Sequence, residues 1–157
     1  MVASDAVELV QASHGDAPAI RALTRAAYAK WVPMIGREPK PMTADYEHAV
    51  RHHRFDLLYA DGTLAALIET IRSSDHLLIE NIAVLPAFQG RGYGRRLMAH
   101  VEQLAAQQGF GEVRLYTNKR FAENVQLYLK LGYRVDREED LSVGIAVHMS
   151  KRLEETT

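Results

Sequence analysis

Three alternate glycines, Gly90, Gly92 and Gly94, stand between an apolar stretch ending at Val84 and an amphipathic stretch, within Gln89-Gly90-Arg91-Gly92-Tyr93-Gly94-Arg95-Arg96. Glycines let a backbone approach a ligand closely, and the first N–H groups of a helix point outward without an intrahelical partner. The helix dipole adds positive potential at the same end. A strand, a glycine turn and a helix start therefore build an anion site, most naturally for a phosphate or pyrophosphate. Arg91, Arg95 and Arg96 reinforce its charge. The competing reading is a flexible turn with solubilising arginines. Two nucleotide motifs fail on spacing. A P-loop needs GxxxxGK[ST], and Arg95-Arg96 stand where Gly-Lys would be. A dinucleotide fingerprint closes on a small residue, where this chain has Arg95, and wants an acid at the end of the next strand. Glu112 sits at the start of that strand.

Two further groups could move protons. Glu80-Asn81 interrupts an otherwise apolar run, Leu77 to Val84. Strict alternation puts Glu80 on the face of Leu78, Ile82 and Val84, and Asn81 on the opposite face. A carboxylate inside a central strand is costly unless it is paired or used. Glu80 is thus either a general base, a structural partner of an arginine, or a hydrogen-bond acceptor that only binds the substrate. Glu69, on the neighbouring strand, is a second carboxylate available to a substrate. Tyr128 follows Asn124 by four residues, which puts both on one helix face. Its hydroxyl can donate a proton, or it can simply find a partner in the core. Asn118 and Asn124 suit turn and cap positions. His52-His53 has no spaced third ligand and reads as surface rather than metal.

These residues need elements to hold them. Val7–Val10 alternates weakly and predicts a short first strand. Asp16 predicts an N-cap with Pro18 in the first turn, and Ile20, Leu23, Ala27 and Trp31 extend that helix to about residue 31. Val32–Met42 holds Pro33, Pro39, Pro41 and Gly36 and reads as a loop. Thr43 can cap a second short helix bearing Tyr46 and Val50. Phe55–Tyr59 and Leu64–Ile71 read as strands joined at Asp61-Gly62, a strong hairpin signal. His76–Leu85 is a long strand ended by Pro86. Gly92–Gln108 has the clearest helical stripe, Tyr93, Leu97, Val101, Leu104 and Ala105, with Gly109 as its stop. Glu112–Tyr116, a helix over Phe121–Leu131, Tyr133–Val135 and Val143–Met149 complete the chain. The order β-α-α-β-β-β-α-β-α-β-β mixes hairpins with helical crossovers. It predicts an α/β fold with a mixed sheet and helices on both faces.

Composition bounds the rest. The chain has 157 residues, 47% of them hydrophobic and 25% charged, which suits one globular domain over 1–157. The absence of cysteine excludes disulfides, thiol nucleophiles and zinc ribbons. Apolar runs of about five residues fall far short of the ~20 of a membrane span. The start, MVASDAVELV, has no basic region or long apolar core, so no leader and a cytoplasmic protein are expected. A net charge of −1 gives no general nucleic-acid footprint. Residues 89–137 nevertheless carry nine Lys/Arg against four Asp/Glu, so this stretch can attract an anion.

Gln89-Gly90-Arg91-Gly92-Tyr93-Gly94 resembles the Q/R-x-x-G-x-G/A motif of the GNAT acetyltransferase superfamily. Ile82-Ala83-Val84-x-Pro86 before it, and Tyr128-Leu129-Lys130-Leu131-Gly132-Tyr133 after it, resemble the strand end and the YxKxGF/Y motif of that family. The resemblance is specific over about residues 76–135 and looser elsewhere. It implies a GNAT-like fold, a mixed, mostly antiparallel sheet of about seven strands flanked by about four helices. It implies acetyl-CoA as acyl donor, with no metal. The pyrophosphate would lie on the backbone of Gln89, Gly90, Arg91, Gly92, Tyr93 and Gly94, with Arg95 in the first helical turn. The pantetheine arm would run along Ile82, Ala83 and Val84 like an added strand. Asn124 or Asn118 would bind the pantetheine amide. Tyr128 would protonate the leaving thiolate, and Glu80 would deprotonate the attacking amine. Many members carry their asparagine at the position of Phe121. Trp31, Arg37, Tyr46 and Glu69, with Tyr28, would surround the acceptor, although Tyr28 and Trp31 also suit plain core packing. Without cysteine the implied route is direct attack by a primary amine, of a small molecule or peptide, in a ternary complex. No nucleic-acid or membrane partner is expected. Many members are dimers, so a homodimer stays open. The reading from another class is a catalytically silent acyl-CoA-binding module on the same fold.

Overall fold

The computed structural model describes residues 6–154, so part of the stretch read for a leader lies outside it. Seven strands form one sheet in the order β1-β2-β3-β4-β5-β7-β6. They are β1 (Val7–Gln11), β2 (Arg54–Ala60), β3 (Thr63–Arg72), β4 (Leu77–Val84), β5 (Glu112–Asn118), β6 (Arg134–Asp140) and β7 (Ile145–Arg152). Among the described residues only β4 and β5 run parallel. Their crossover is the long helix α5 (Tyr93–Gln107), as a parallel pair requires. Asp61 and Gly62 both take positive φ, 51° and 82°, the tight turn expected between β2 and β3.

The remaining helices are α1 (Ala17–Tyr28), α2 (Val32–Ile35), α3 (Lys40–Thr43), α4 (Tyr46–His52) and α6 (Ala122–Lys130). α1 and α4 bury Ile20, Leu23, Tyr46 and Ala49 against Phe55, Leu57 and Leu67 on one sheet face. α5 buries Leu97, Met98 and Val101 against Leu58, Ile68 and Ile79 on the other, where Tyr128 and Tyr133 also pack. No helix among the described residues is long and apolar enough to cross a membrane.

Several local expectations change. Val32–Met42 is not a plain loop. It winds into the single turns α2 and α3, each with proline in its first turn, where a missing N–H costs nothing. Asp45, not Thr43, caps α4, its carboxylate accepting from His48 N–H. Asp16 makes no side-chain cap on α1, because its carboxylate accepts the Ser13 N–H instead. β6 runs to Asp140, well beyond Val135, as the sheet's outer strand on β7.

Candidate functional site

The site begins where β4 leaves β5. The two strands are in register only from Leu77–Val113 to Ile79–Leu115, and beyond that they part. At the same point β4 bulges against β3. Asn81 faces Glu69 and Ile79 faces Thr70, so Glu80 has no partner of its own. A bulge adds one residue and reverses the alternation that follows it. Leu77 and Ile79 before the bulge, and Ile82 and Val84 after it, all pack on the α5 side. Glu80 therefore does not share a face with Ile82 and Val84. It and Asn81 both line the cavity on the α1/α4 side.

That cavity is about 450 Å³ and holds the proton-active groups. Tyr116, projecting from β5, donates its hydroxyl to Glu80 Oε1 at 2.7 Å. Lys40 Nζ, from α3, lies 3.4 Å from the same oxygen. Glu69 is buried, with Oε2 2.6 Å from His53 Nδ1. Burial holds the Glu69 carboxyl above the usual range, His53 opposes the shift, and the nearby Glu80 charge adds to it. Burial likewise pushes the Tyr116 hydroxyl up, and its bond to Glu80 pushes the same way. Asn81 is buried beneath, offering its amide to Thr24 Oγ1 and to the Tyr46 hydroxyl.

A second cavity of about 190 Å³ lies along the free edge of β4. Ile82, Ala83, Val84, Gln89, Gly94, Asn124 and Tyr128 line it. Gln89 Nε2 donates to Val84 O, tying the turn to the strand end. Gly90 and Gly92 adopt φ of 83° and 82°, and no atom would meet a Cβ at either. Arg96 N–H is bonded to Gly92 O, which leaves the amides of Gly94 and Arg95 ahead of the helical ladder. A left-handed, side-chain-free turn with outward amides and exposed arginines fits a diphosphate in shape and charge. Tyr128 is buried in the wall, and burial alone pushes its hydroxyl well up, so it stays protonated.

Tyr28 belongs to both cavities and donates its hydroxyl to Asn81 Oδ1 at 2.9 Å. The sequence reading separates differently from the structure at three residues. Trp31 lies in the narrower cavity, stacked on Phe121 at 4.4 Å, and not in the wider one with Tyr46, Glu69 and Arg37. Asn118 lines the wider cavity, and only Asn124 lines the narrower one. His53 is not plain surface but the partner of Glu69. Tyr116 and Lys40 were not legible as site residues. An alternating strand and a proline-flanked lysine carry no signal for chemistry, and only the sheet order brings them to Glu80.

The sequence model described as the acetyltransferase (GNAT) family matches residues 18–133. Streptothricin acetyltransferase of Streptomyces lavendulae is 34% identical over 76 residues, 47% of this chain and 40% of that protein. The N-alpha-acetyltransferase 80 of Mus musculus is 34% identical over 71 residues, 45% of this chain and 21% of that one. The matched stretches thus span less than half of either relative. In overall fold the chain is similar to the PaiA N-acetyltransferase of Thermoplasma acidophilum, solved in complex with coenzyme A. The TM-score is 0.82 at 19% identity, over 94% of this chain and 99% of that one.

Proposed function

Because the chain belongs to the acetyltransferase (GNAT) family, we propose that residues 1–157 act as one acetyl-CoA-dependent N-acetyltransferase domain on a primary amine of a small molecule or peptide. The observation that carries this is the bulge at Glu80, which sends a carboxylate into one cavity while Ile82, Ala83 and Val84 edge the other. A donor lying along Ile82–Val84 and an acceptor at Glu80 would then meet across the strand.

Bound acetyl-CoA would supply the activated acetyl group. The backbone from Gln89 to Arg95 takes the diphosphate, and Asn124 stands along the pantetheine path. A backbone N–H of Ile82–Val84 polarises the thioester carbonyl. Glu80 takes the proton that the attacking amine must lose, and the ammonium of Lys40 beside it is the kind of group an amine substrate would replace. Tyr128 gives its proton to the departing thiolate as the C–S bond breaks, and the phenolate so formed takes a proton back from solvent before the next turnover. Burial raises the Tyr128 hydroxyl. The transfer therefore depends on the thiolate being desolvated in the same cavity, which makes it an equally demanding base.

The test is release of free thiol from acetyl-CoA across a panel of primary amines. Amine-dependent release with a matching acetylated product supports the reading. Binding of CoA in preference to NAD with no transfer to any amine would favour a silent acyl-CoA-binding module.

A further inference from the structure

Among the described residues, the wider cavity has a cation with no carboxylate to neutralise it. Its carboxylates are occupied: Glu69 faces His53, Glu80 faces Lys40, and Asp45 caps α4. Arg37 lines the same cavity, yet no carboxylate of a described residue pairs with it. Its Nη2 donates to Val143 O at 3.3 Å and its Nη1 reaches Glu38 O only at 3.5 Å. Its Nε is buried and has no hydrogen-bond partner. A buried donor left unpaired is costly, the more so on a charged group.

Beside it is a notch. Gly144 has no side chain, and a Cβ there would stand 3.2 Å from Asn118 Nδ2 and 3.7 Å from Arg37 Nη2. No other atom beyond the glycine and its chain neighbours comes within 4 Å of that point. Asn118 Oδ1 is engaged by the Arg120 N–H at 2.9 Å, which fixes its amide with Nδ2 as the free donor. With no side chain at Gly144 between them and the cavity, two donors, one of them charged, stand close together on its wall. A guanidinium fork and an amide together suit a planar carboxylate. Asn118 follows Tyr116, the donor to Glu80, by two residues on β5, a step of about 7 Å along one strand face.

We propose that this notch binds a carboxylate of the acceptor, so that the substrate is a primary amine carrying a carboxylate several atoms away. The amine end meets Glu80 and the carboxylate end meets Arg37 and Asn118. This rests on the acetyltransferase reading of the same cavity and narrows its substrate class.

The probes are ω-amino acids of three to six carbons against n-alkylamines of matching length, assayed by thiol release from acetyl-CoA. The wild-type chain should prefer the best amino acid over its alkylamine by about tenfold or more in kcat/KM, the scale of one charged hydrogen-bonded contact. Arg37→Gln should reduce that preference to within about twofold, the loss falling on KM. Arg37→Lys keeps the charge and the stem but not the fork. It should recover part of the preference, and it serves if the glutamine variant does not fold. Calorimetric titration of the amino acids into the CoA-saturated protein reads the notch without turnover, and Arg37→Gln should weaken that binding about tenfold. Alkylamines preferred by the wild type, or a preference and binding unmoved by both Arg37 variants, overturn the notch as a carboxylate seat. Failure of the acetyltransferase reading is separate: thiol release absent with every amine, whatever the calorimetry gives.

Discussion

Burial makes both Tyr128 and Glu69 hold their protons more tightly, with different consequences. Tyr128 is buried among apolar neighbours and holds its proton firmly. Tyr128→Phe deletes one hydroxyl and keeps the ring, so acetyl-CoA affinity should stay near wild type. Turnover in a chemistry-limited assay should fall by ~10²–10⁴-fold, the usual worth of general acid help. A drop of less than a few-fold would leave Tyr128 a packing residue. Glu69 is held above its ordinary 4.5, chiefly by burial. The folded chain then binds this proton more tightly than the unfolded chain. Glu69 thus favours folding most below about 4.5, and that contribution is lost as pH rises through its raised value. The Tm of the wild type relative to Glu69→Gln should therefore decline as pH climbs from 4.5 and then level off. A difference constant with pH would mean that burial does not shift Glu69. At Glu80 the residue type was legible in the sequence but its direction was not. A carboxylate in an apolar strand announces itself, whereas the bulge that turns it toward Tyr116 arises from pairing with β3 at Glu69 and Thr70 and is invisible to alternation.

The glycine turn and α5 behave as one element, and here the sequence was most legible, because motif and periodicity lie within a single local stretch. Gly92 sits at φ 82°, so any side chain there strains the backbone as well as the ligand site. Gly94 separates the two effects. It lies inside the first turn of α5, has ordinary helical φ, leaves open space for a Cβ, and lines the narrower cavity. Gly94→Asp replaces a poor helix former and puts an acid at a helix N-terminus, both favourable to folding by up to ~1 kcal/mol. The same carboxylate repels the diphosphate for which the turn is shaped. The variant should melt at or above the wild-type temperature and lose CoA binding by at least tenfold in calorimetry. Equal CoA affinity in both proteins would make the turn purely structural. The segment between α1 and α4 was the least legible element. Its prolines break a long helix, but they also start the short turns α2 and α3, and which of these applies depends on contacts such as Arg120 Nη1 donating to Met34 O.

Across the whole molecule the sheet is held as two leaves. β1 to β4 form one, and β5, β7 and β6 form the other, joined in the sheet by three paired positions between β4 and β5. Past Ile79 the backbone edge of β4 is unclaimed by β5, while α6 and Tyr128 close the far side of the gap. An extended pantetheine arm lying there would act as a surrogate strand between the leaves, and its diphosphate would order the turn before α5. Ligand binding should therefore stabilise the chain as a unit. At about 100 times its dissociation constant acetyl-CoA should add ~2.7 kcal/mol to unfolding. On a domain of this size that is a rise in Tm of several degrees. Hydrogen exchange should locate the effect. Amides of Ile82 to Val84 and of Gly94 and Arg95 should slow markedly with acetyl-CoA, while those in β1, remote from the gap, should change only as far as global stability dictates. The leaf beyond the gap should also gain protection, because a strand bridging two leaves makes each harder to open alone. Melting unmoved by millimolar acetyl-CoA would remove the basis for the donor cleft. A Tm rise without protection at Ile82–Val84 would place the ligand somewhere other than the parted strands.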